Sequence, residues 1–204
     1  YARHEETKDS DIDVMVITKD KTLQIGIKEP NLEITTFKLD KLKNAIQKYP
    51  VMYYQMVQEA EPIINASLLE ELKNIRPSNE SFKDYLSETK VHIESNKELI
   101  ELDKLDGKYV KSYSSLYSTV LRLRGIFIIK CILNQEKFSN KAFQECLIQK
   151  GMSNLDFEKC YAAYRTVRNN GSTKNLNIEV SVAENLLNIL IKEKNSIESE
   201  LYGK

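Results

Sequence analysis

The chain has 204 residues, enough for one large domain or two small ones with apolar cores of their own. Thirty lysines and arginines balance thirty aspartates and glutamates, so the formal net charge at pH 7 is zero. No overall field therefore attracts a polyanion, which excludes a protein whose whole surface is a basic platform for nucleic acid or for an anionic membrane.

The three cysteines, Cys131, Cys146 and Cys160, lie in helical sequence without the spacing of a metal site. Their odd number and their apolar surroundings indicate small buried side chains in a reducing compartment. No apolar run reaches the roughly 18 to 20 residues that a membrane-spanning helix needs. Together these features predict a cytoplasmic protein with no membrane partner.

The first informative element is an apolar strand, DIDVMVI from residue 11, that carries two aspartates. Because side chains alternate along a strand, Asp11 and Asp13 share one face and the apolar residues share the other. Two carboxylates that close repel each other unless a cation lies between them. The pattern favours Mg²⁺, which accepts one or two protein carboxylates and fills its other positions with water and substrate phosphates. A solvated strand face is the alternative explanation.

Two more alternating runs follow, over residues 22–27 and 32–37, and a turn at Glu29-Pro30-Asn31 separates them. In the second run Glu33 lies on the polar face, opposite Leu32 and Ile34. Glu33 is therefore a candidate third carboxylate beside the two aspartates. The three runs predict a small mixed β-sheet.

From residue 40 the apolar spacing becomes helical, and helices are predicted over residues 40–49, 51–60 and 67–75. Residues 76–81, RPSNES, are typical of a linker, so we divide the chain into domains 1–76 and 77–204. Five more helices are predicted in the second domain, over residues 82–102, 109–133, 140–150, 155–168 and 182–201. The fold class is α+β, with a small mixed β-sheet backed by helices and followed by an all-α helical bundle.

Basic residues interrupt the apolar stripe of the helix predicted over residues 109–133. Arg122 and Lys130 lie about two turns apart on roughly one side, with Arg124 between them, and are candidate contacts for an anionic ligand. The alternative is a set of solvated cations on an amphipathic helix. Further basic residues at 159–168 fit a DNA-binding helix-turn-helix only loosely, because that helix also carries many apolar side chains.

The run Ser10-Asp11-Ile12-Asp13-Val14 and the later Leu32-Glu33-Ile34 resemble the DNA polymerase β-type nucleotidyltransferase superfamily, in its small prokaryotic branch with an added helical domain. The family motif is Gly-Ser, a spacer, Asp-hydrophobic-Asp-hydrophobic, and a third acidic residue on a later strand. Tyr1-Ala2-Arg3 resembles the residues after Gly-Ser, although His4 stands where members often have Gly. Since Gly-Ser and the family's first helix and strand are missing, we expect an N-terminally incomplete domain whose natural chain extends upstream.

The resemblance implies a Mg²⁺-dependent enzyme that moves a nucleoside monophosphate from an NTP to an acceptor hydroxyl and releases pyrophosphate. It implies two Mg²⁺ ions, held by Asp11, Asp13 and Glu33 as catalytic ligands. Ser10 and Arg3 would lie beside the nucleotide, and the basic residues Arg122, Arg124 and Lys130 would contact it as well. The acceptor stays open between a small molecule, a protein and an RNA end, and a homodimer is possible.

The helical half resembles the HEPN-type domains that accompany these enzymes, some of which are RNases with an Arg-polar-x-x-x-His motif. Here the run from Arg168 ends on Thr173 where His belongs, so RNase activity is not expected. His92 is expected to be an ordinary surface or hydrogen-bonded histidine. The alternative function is a catalytically inactive nucleotide-binding or protein-interaction module, for instance one half of a toxin and antitoxin pair. A DNA-binding regulator is the third possibility.

Overall fold

A computed structural model describes residues 12–19, 26 and 29–203. The chain divides into two compact units, Tyr1–Phe82 and Lys83–Lys204, which we call the N-terminal unit and the helical unit. The division falls after Phe82, whereas the sequence placed the boundary after Arg76. Within the described residues the fold is α+β, with two strands in the N-terminal unit and long helices in the other.

The described strands are β1, Ile12–Thr18, and β2, Leu32–Lys38. They pair in parallel, in a register that runs from Ile12 opposite Leu32 to Thr18 opposite Lys38. Parallel neighbours need a connection of about a dozen residues or more, which residues 19–31 supply. The strand predicted over residues 22–27 lies almost wholly outside the described residues, so the described sheet is two-stranded and parallel.

Three helices accompany the sheet in the N-terminal unit: α1, Leu39–Lys48, α2, Pro50–Glu59, and α3, Ala66–Lys73. Pro50 opens α2, where its missing N–H costs nothing. The side chain of Asn65 caps α3 by accepting from the amide of Leu68. A 3-10 turn over Asn79–Phe82 ends the unit. The buried core that these helices share contains Leu42, Ile46, Val57, Leu72 and Phe82.

The helical unit consists, in its described residues, of α4, Lys83–Asp106, α5, Tyr113–Asn134, α6, Asn140–Gln149, α7, Asn154–Arg168, and α8, Val180–Tyr202. Helix α5 packs against α4, α7 and α8, so it is the centre of the bundle. The predicted helices are thus present, with ends displaced by a few residues. The all-α bundle predicted for the second half of the chain is confirmed.

The ends of the bundle helices show why the chain turns where it does. Ser139 caps α6 and Ser153 caps α7, each accepting from a first-turn amide. Gly151, between these helices, has a φ of 95°, a conformation that favours glycine. Between α4 and α5 the carboxylate of Asp103 accepts hydrogen bonds from the backbone amides of Lys111 and Ser112.

Among the described helices, none combines the length and the apolar character that crossing a membrane requires. Cys131 and Cys160 are buried in the bundle, as predicted, and Cys146 is half-buried. Burial raises the pKa of the Cys131 thiol to about 11 and that of the Cys160 thiol to about 12. Both therefore stay neutral thiols at physiological pH.

Candidate functional site

The parallel register brings two of the predicted carboxylates together. Asp13 on β1 and Glu33 on β2 are register partners, and both residues are exposed. Neighbouring strands lie about 4.8 Å apart, and register partners point to the same face of the sheet. The two side chains, which we call the carboxylate pair, therefore stand side by side near the beginning of both strands.

A turn immediately before β2 sets the position of Glu33. The amide of Leu32 donates to the carbonyl oxygen of Glu29 at 3.2 Å, across Pro30 and Asn31. Asn31 has a φ of 63°, so this is the arrangement of a type II β-turn, with Pro second and a left-handed residue third. The carbonyl oxygen of Asn31 accepts from the amide of Ile12 at 2.7 Å. The turn is thus tied to β1 one residue before Asp13 and two residues before Glu33.

The face of the sheet that carries the pair becomes apolar toward the ends of the strands. Alternation places Ile17 and Phe37 on the same face as Asp13 and Glu33. The ring of Phe37 meets the ring of Tyr53 on α2 edge to face, with centroids 5.9 Å apart. The sheet is therefore anchored to a helix at one end and presents its carboxylates at the other.

The carboxylate pair suits a hard cation better than a soft one, since both ligands are oxygens. Among the described residues no group of three or more His, Cys, Asp and Glu side chains could hold a metal ion. Ca²⁺, which takes six to eight oxygen ligands, usually binds more protein oxygens than these two carboxylates offer. They are enough for Mg²⁺, which binds through one or two carboxylates and completes its octahedron with water and phosphate oxygens.

Three of the predicted site residues, Asp11, Ser10 and Arg3, lie outside the described residues. Their roles as metal ligand, nucleotide contact and phosphate contact stay predictions. The spacing of Asp11 from Asp13 is what a third carboxylate on the same strand face requires.

The predicted nucleotide contacts Arg122, Arg124 and Lys130 all lie on α5, but the structure gives them different neighbours. Arg122 lies over the ring of Tyr85, with its guanidinium carbon 5.0 Å from the ring centroid, and pairs with Glu88 at 3.4 Å. Both partners are on α4. The guanidinium of Arg122 is thus occupied inside the helical unit.

Arg124 sits in an aromatic cluster formed around α6 and α7. One guanidinium nitrogen donates to Asn140 Oδ1 and to the hydroxyl of Tyr161, each at 2.7 Å. The guanidinium carbon lies 4.7 Å from the centroid of the Phe138 ring. No carboxylate pairs with Arg124 within the described part of the chain. Its contacts are therefore those of a cation that organises aromatic packing.

Lys130 belongs to a third environment, on the side of α5 that faces α8. Its ammonium lies 2.5 Å from Glu193 Oε2, and Lys150 lies 2.6 Å from the other oxygen of the same carboxylate. Burial alone would raise the pKa of Glu193, but the hydrogen bonds from the two lysines together hold it below its ordinary value. The structure does not bring the three basic residues of α5 to one site, and their contact with a nucleotide stays a prediction.

The N-terminal unit also has an open cavity of about 490 Å³, and the carboxylate pair does not line it. The cavity lies where β1 ends, between Thr18 and Lys19 on one side and the first turn of α3 on the other. Asp13 is five residues earlier on β1, which corresponds to about 17 Å along the strand. The carboxylate pair is thus an open surface site.

Sequence reasoning missed one polar cluster of the described structure, a row of hydrogen bonds through His92, Asn96 and Ser118 between α4 and α5. The signal was present, because His92 and Asn96 are four residues apart and so lie on one face of a helix. What the sequence did not show is which residues of α5 face them.

Comparison of the chain with family models, with curated proteins and with solved structures finds no match in any of the three.

Proposed function

We propose that the N-terminal unit binds Mg²⁺ and transfers a nucleoside monophosphate from an NTP to an acceptor hydroxyl. The observation that carries this proposal is the register of β1 and β2, which makes Asp13 and Glu33 exposed neighbours on one sheet face. A pair of unshielded carboxylates is unfavourable by itself, because each repels the other's charge. A divalent cation bound to a triphosphate would remove that repulsion, which would explain why the two carboxylates are neighbours.

In the proposed reaction the acceptor oxygen attacks the α-phosphorus of the NTP. The bond from the α-phosphorus to the oxygen that bridges it to the β-phosphate breaks, and pyrophosphate leaves with that bonding pair. Bound Mg²⁺ supplies positive charge against the triphosphate. Asp11, Asp13 and Glu33 would hold the metal. Glu33, on the acceptor side, would favour the deprotonated acceptor oxygen, and the proton of the hydroxyl would pass to bulk water.

If no transfer occurs, the protein would belong to a different class and would use the same surface only for binding. A catalytically inactive module that binds nucleotide or another protein would keep the strand register and show no release of pyrophosphate. Metal-dependent turnover is therefore the property that separates the two proposals, and nucleotide binding alone does not.

The test is pyrophosphate release from NTP with Mg²⁺, measured for the full-length natural protein and for its Asp13→Asn and Glu33→Gln variants. Both substitutions keep the shape of the side chain and remove its charge. We expect Asp13→Asn to lower the rate about a hundredfold or more, and Glu33→Gln to lower turnover with little change in NTP affinity. Far-UV circular dichroism and melting curves on the same samples would show that the fold is kept.

Glu61→Gln is the matched control, because it removes one exposed carboxylate of the same unit from outside the strands. It should leave the rate unchanged. An Asp13→Asn protein that releases pyrophosphate at the unaltered rate would remove the carboxylate pair from the mechanism. Release by none of the proteins, with nucleotide binding retained, would favour the inactive module.

A further inference from the structure

A hydrogen-bonded row of polar side chains joins α4 to α5 inside the helical unit. The amide of Asn96 on α4 donates to the hydroxyls of Ser118 and Thr119 on α5, and Ser118 lies 3.3 Å from His92 Nδ1. Asn96 is 3 % exposed and Thr119 is 1 % exposed. Buried polar groups need partners, and these residues supply partners for one another. The proposed nucleotide chemistry uses none of them.

The direction of each hydrogen bond follows from Thr119. Its hydroxyl donates to the carbonyl oxygen of Ser115 at 2.8 Å, so toward Asn96 it can only accept, at 3.1 Å. Asn96 must therefore present its Nδ2, whose second hydrogen goes to Ser118 Oγ at 3.1 Å. The hydroxyl hydrogen of Ser118 then remains for His92 Nδ1.

This polarity favours one state of the histidine. Ser118 can donate to His92 Nδ1 only when the ring is neutral and carries its hydrogen on Nε2, and this is the state that we assign. A proton added to Nδ1 would turn it into a donor. Ser118 Oγ would then accept from both His92 and Asn96, and its own hydrogen would lose its acceptor in the row. Protonation of His92 thus costs the row one hydrogen bond.

The positive charge of Arg122 also disfavours protonation of His92. From α5 it is faced by Arg122, and on its own helix by Glu88, which pairs with Arg122 at 3.4 Å. Helix α8 also packs on α4, but its Glu184 pairs with Lys104, about 18 Å along α4 from His92. A protonated His92 would be a second cation beside Arg122. Burial and the Arg122 charge lower the pKa of His92, and the Glu88 carboxylate opposes them.

We propose that this row is a pH-sensitive seam between α4 and α5. Neutral His92 completes the row and holds the two helices together, and protonation breaks the row at Ser118 and loosens both helices. A group whose pKa is lower in the folded than in the unfolded chain stabilises the fold above its unfolded pKa. The stabilisation is therefore complete above about pH 6.5, the ordinary histidine value, and is lost as the pH falls through the folded pKa.

Two NMR measurements on the full chain test the seam. The imidazole ¹⁵N signals of His92 at neutral pH should show the Nε2–H tautomer. Amide hydrogen exchange in α4 and α5, corrected for its intrinsic pH dependence, should become faster by roughly two- to tenfold between pH 7 and pH 5. This range is the change in opening equilibrium expected from the loss of one hydrogen bond. His92→Gln should abolish this acceleration. His4→Gln, which replaces the other histidine of the chain, should leave it in place.

An Nδ1–H tautomer at neutral pH would overturn the proposal, as would the same acceleration in the His92→Gln protein. Ser118→Ala gives a second variant that retains the histidine and removes its donor. We expect the pKa of His92 to rise in that variant, because the neutral ring loses the hydrogen bond that favours it. A pKa of His92 that is unaffected by Ser118→Ala would contradict the seam even if His92→Gln does not fold.

Discussion

Gly125 on α5 leaves room for the ring of Tyr85 from α4. A Cβ atom at this position would lie 1.7 Å from the Tyr85 hydroxyl oxygen and 2.2 Å from its Cζ. The hydroxyl donates to the carbonyl oxygen of Arg122 at 3.3 Å, and burial raises the pKa of Tyr85 to about 12. The glycine is therefore required by a neighbour, and its own φ is not left-handed.

Gly125→Ala should destabilise the helical unit by about 1–3 kcal/mol, because Tyr85 must leave its place. This is opposite to the gain of up to about 1 kcal/mol that alanine normally brings to a helix. Urea unfolding of Gly125→Ala, alone and combined with Tyr85→Leu, measures the effect. If the clash is the cause, Gly125→Ala costs less in the Tyr85→Leu background. A stabilised single variant would show that the ring can move without cost.

Glu193 on α8 is 7 % exposed and pairs with two lysines, Lys130 on α5 and Lys150 directly after α6. A carboxylate so placed stabilises the fold only while it is charged. Because its pKa is lower in the folded than in the unfolded chain, its contribution is complete above the unfolded value, about 4.5, and is lost as the pH falls through the folded value.

Glu193→Gln should therefore lower the free energy of unfolding at neutral pH by about 1–3 kcal/mol and flatten its decline in acid. Urea unfolding from pH 7 to pH 3 measures both effects. Glu184→Gln is the control on the same helix, because its partner Lys104 is more exposed and solvent screens the pair, so its loss should change stability little. Parallel stability curves for Glu193→Gln and the unaltered chain would contradict this role.

At the scale of elements, the turn before β2 determines which face Glu33 occupies. A shift of one residue in the strand register would move every side chain of β2 to the opposite face. Asn31 accepts the left-handed backbone that the turn needs, as asparagine does more readily than most residues. This local turn therefore determines whether Glu33 lies on the same face as Asp13.

We expect Asn31→Gly to keep the N-terminal unit within about 0.5 kcal/mol of its stability, because glycine adopts positive φ freely. Asn31→Val should cost about 1–2 kcal/mol or more, since a β-branched side chain clashes in that conformation. Thermal unfolding compares the two variants, and the amide signals of β1 and β2 report the register. Equal stability of the two variants would show that the turn does not need a left-handed residue.

The helices could be read from the sequence because their signals are local. Apolar spacing, the serine caps and Gly151 all act within a turn of the residues they specify, so α1 to α8 were predicted with ends a few residues off. Strand pairing is different, because it joins residues far apart along the chain. The parallel pairing of β1 with β2 depends on the connection between them, which no local pattern determines.

The candidate site, too, was predictable within each segment but not between segments. The alternation around Asp13 and around Glu33 was readable in each strand, but their meeting required the register. The three basic residues of α5 were grouped by helical spacing, and the structure shows that neighbours decide their environments. Arg122 meets α4, Arg124 meets an aromatic cluster, and Lys130 meets α8. Those neighbours come from other segments, so the spacing on α5 did not reveal them.

At the scale of the whole molecule, the zero net charge means that an anionic nucleotide is not drawn in by a general field. Attraction must come from local charge, and a metal ion at the carboxylate pair supplies it. Recruiting Lys130 to a nucleotide would require breaking its pair with Glu193, which Lys150 shares. Attraction of a nucleotide to this surface therefore depends on a metal ion bound at Asp13 and Glu33.

Site-resolved binding of Mn²⁺, a paramagnetic ion with the oxygen ligands and octahedral geometry of Mg²⁺, shows whether a metal binds there. In a ¹⁵N-labelled chain titrated with Mn²⁺, the amide signals around Asp13 and Glu33 should broaden first, and excess Mg²⁺ should reverse the broadening. Asp13→Asn should weaken the effect strongly, and Glu61→Gln should not. Broadening that begins elsewhere in the chain, or that is unchanged in Asp13→Asn, would contradict the assignment of the metal to the carboxylate pair.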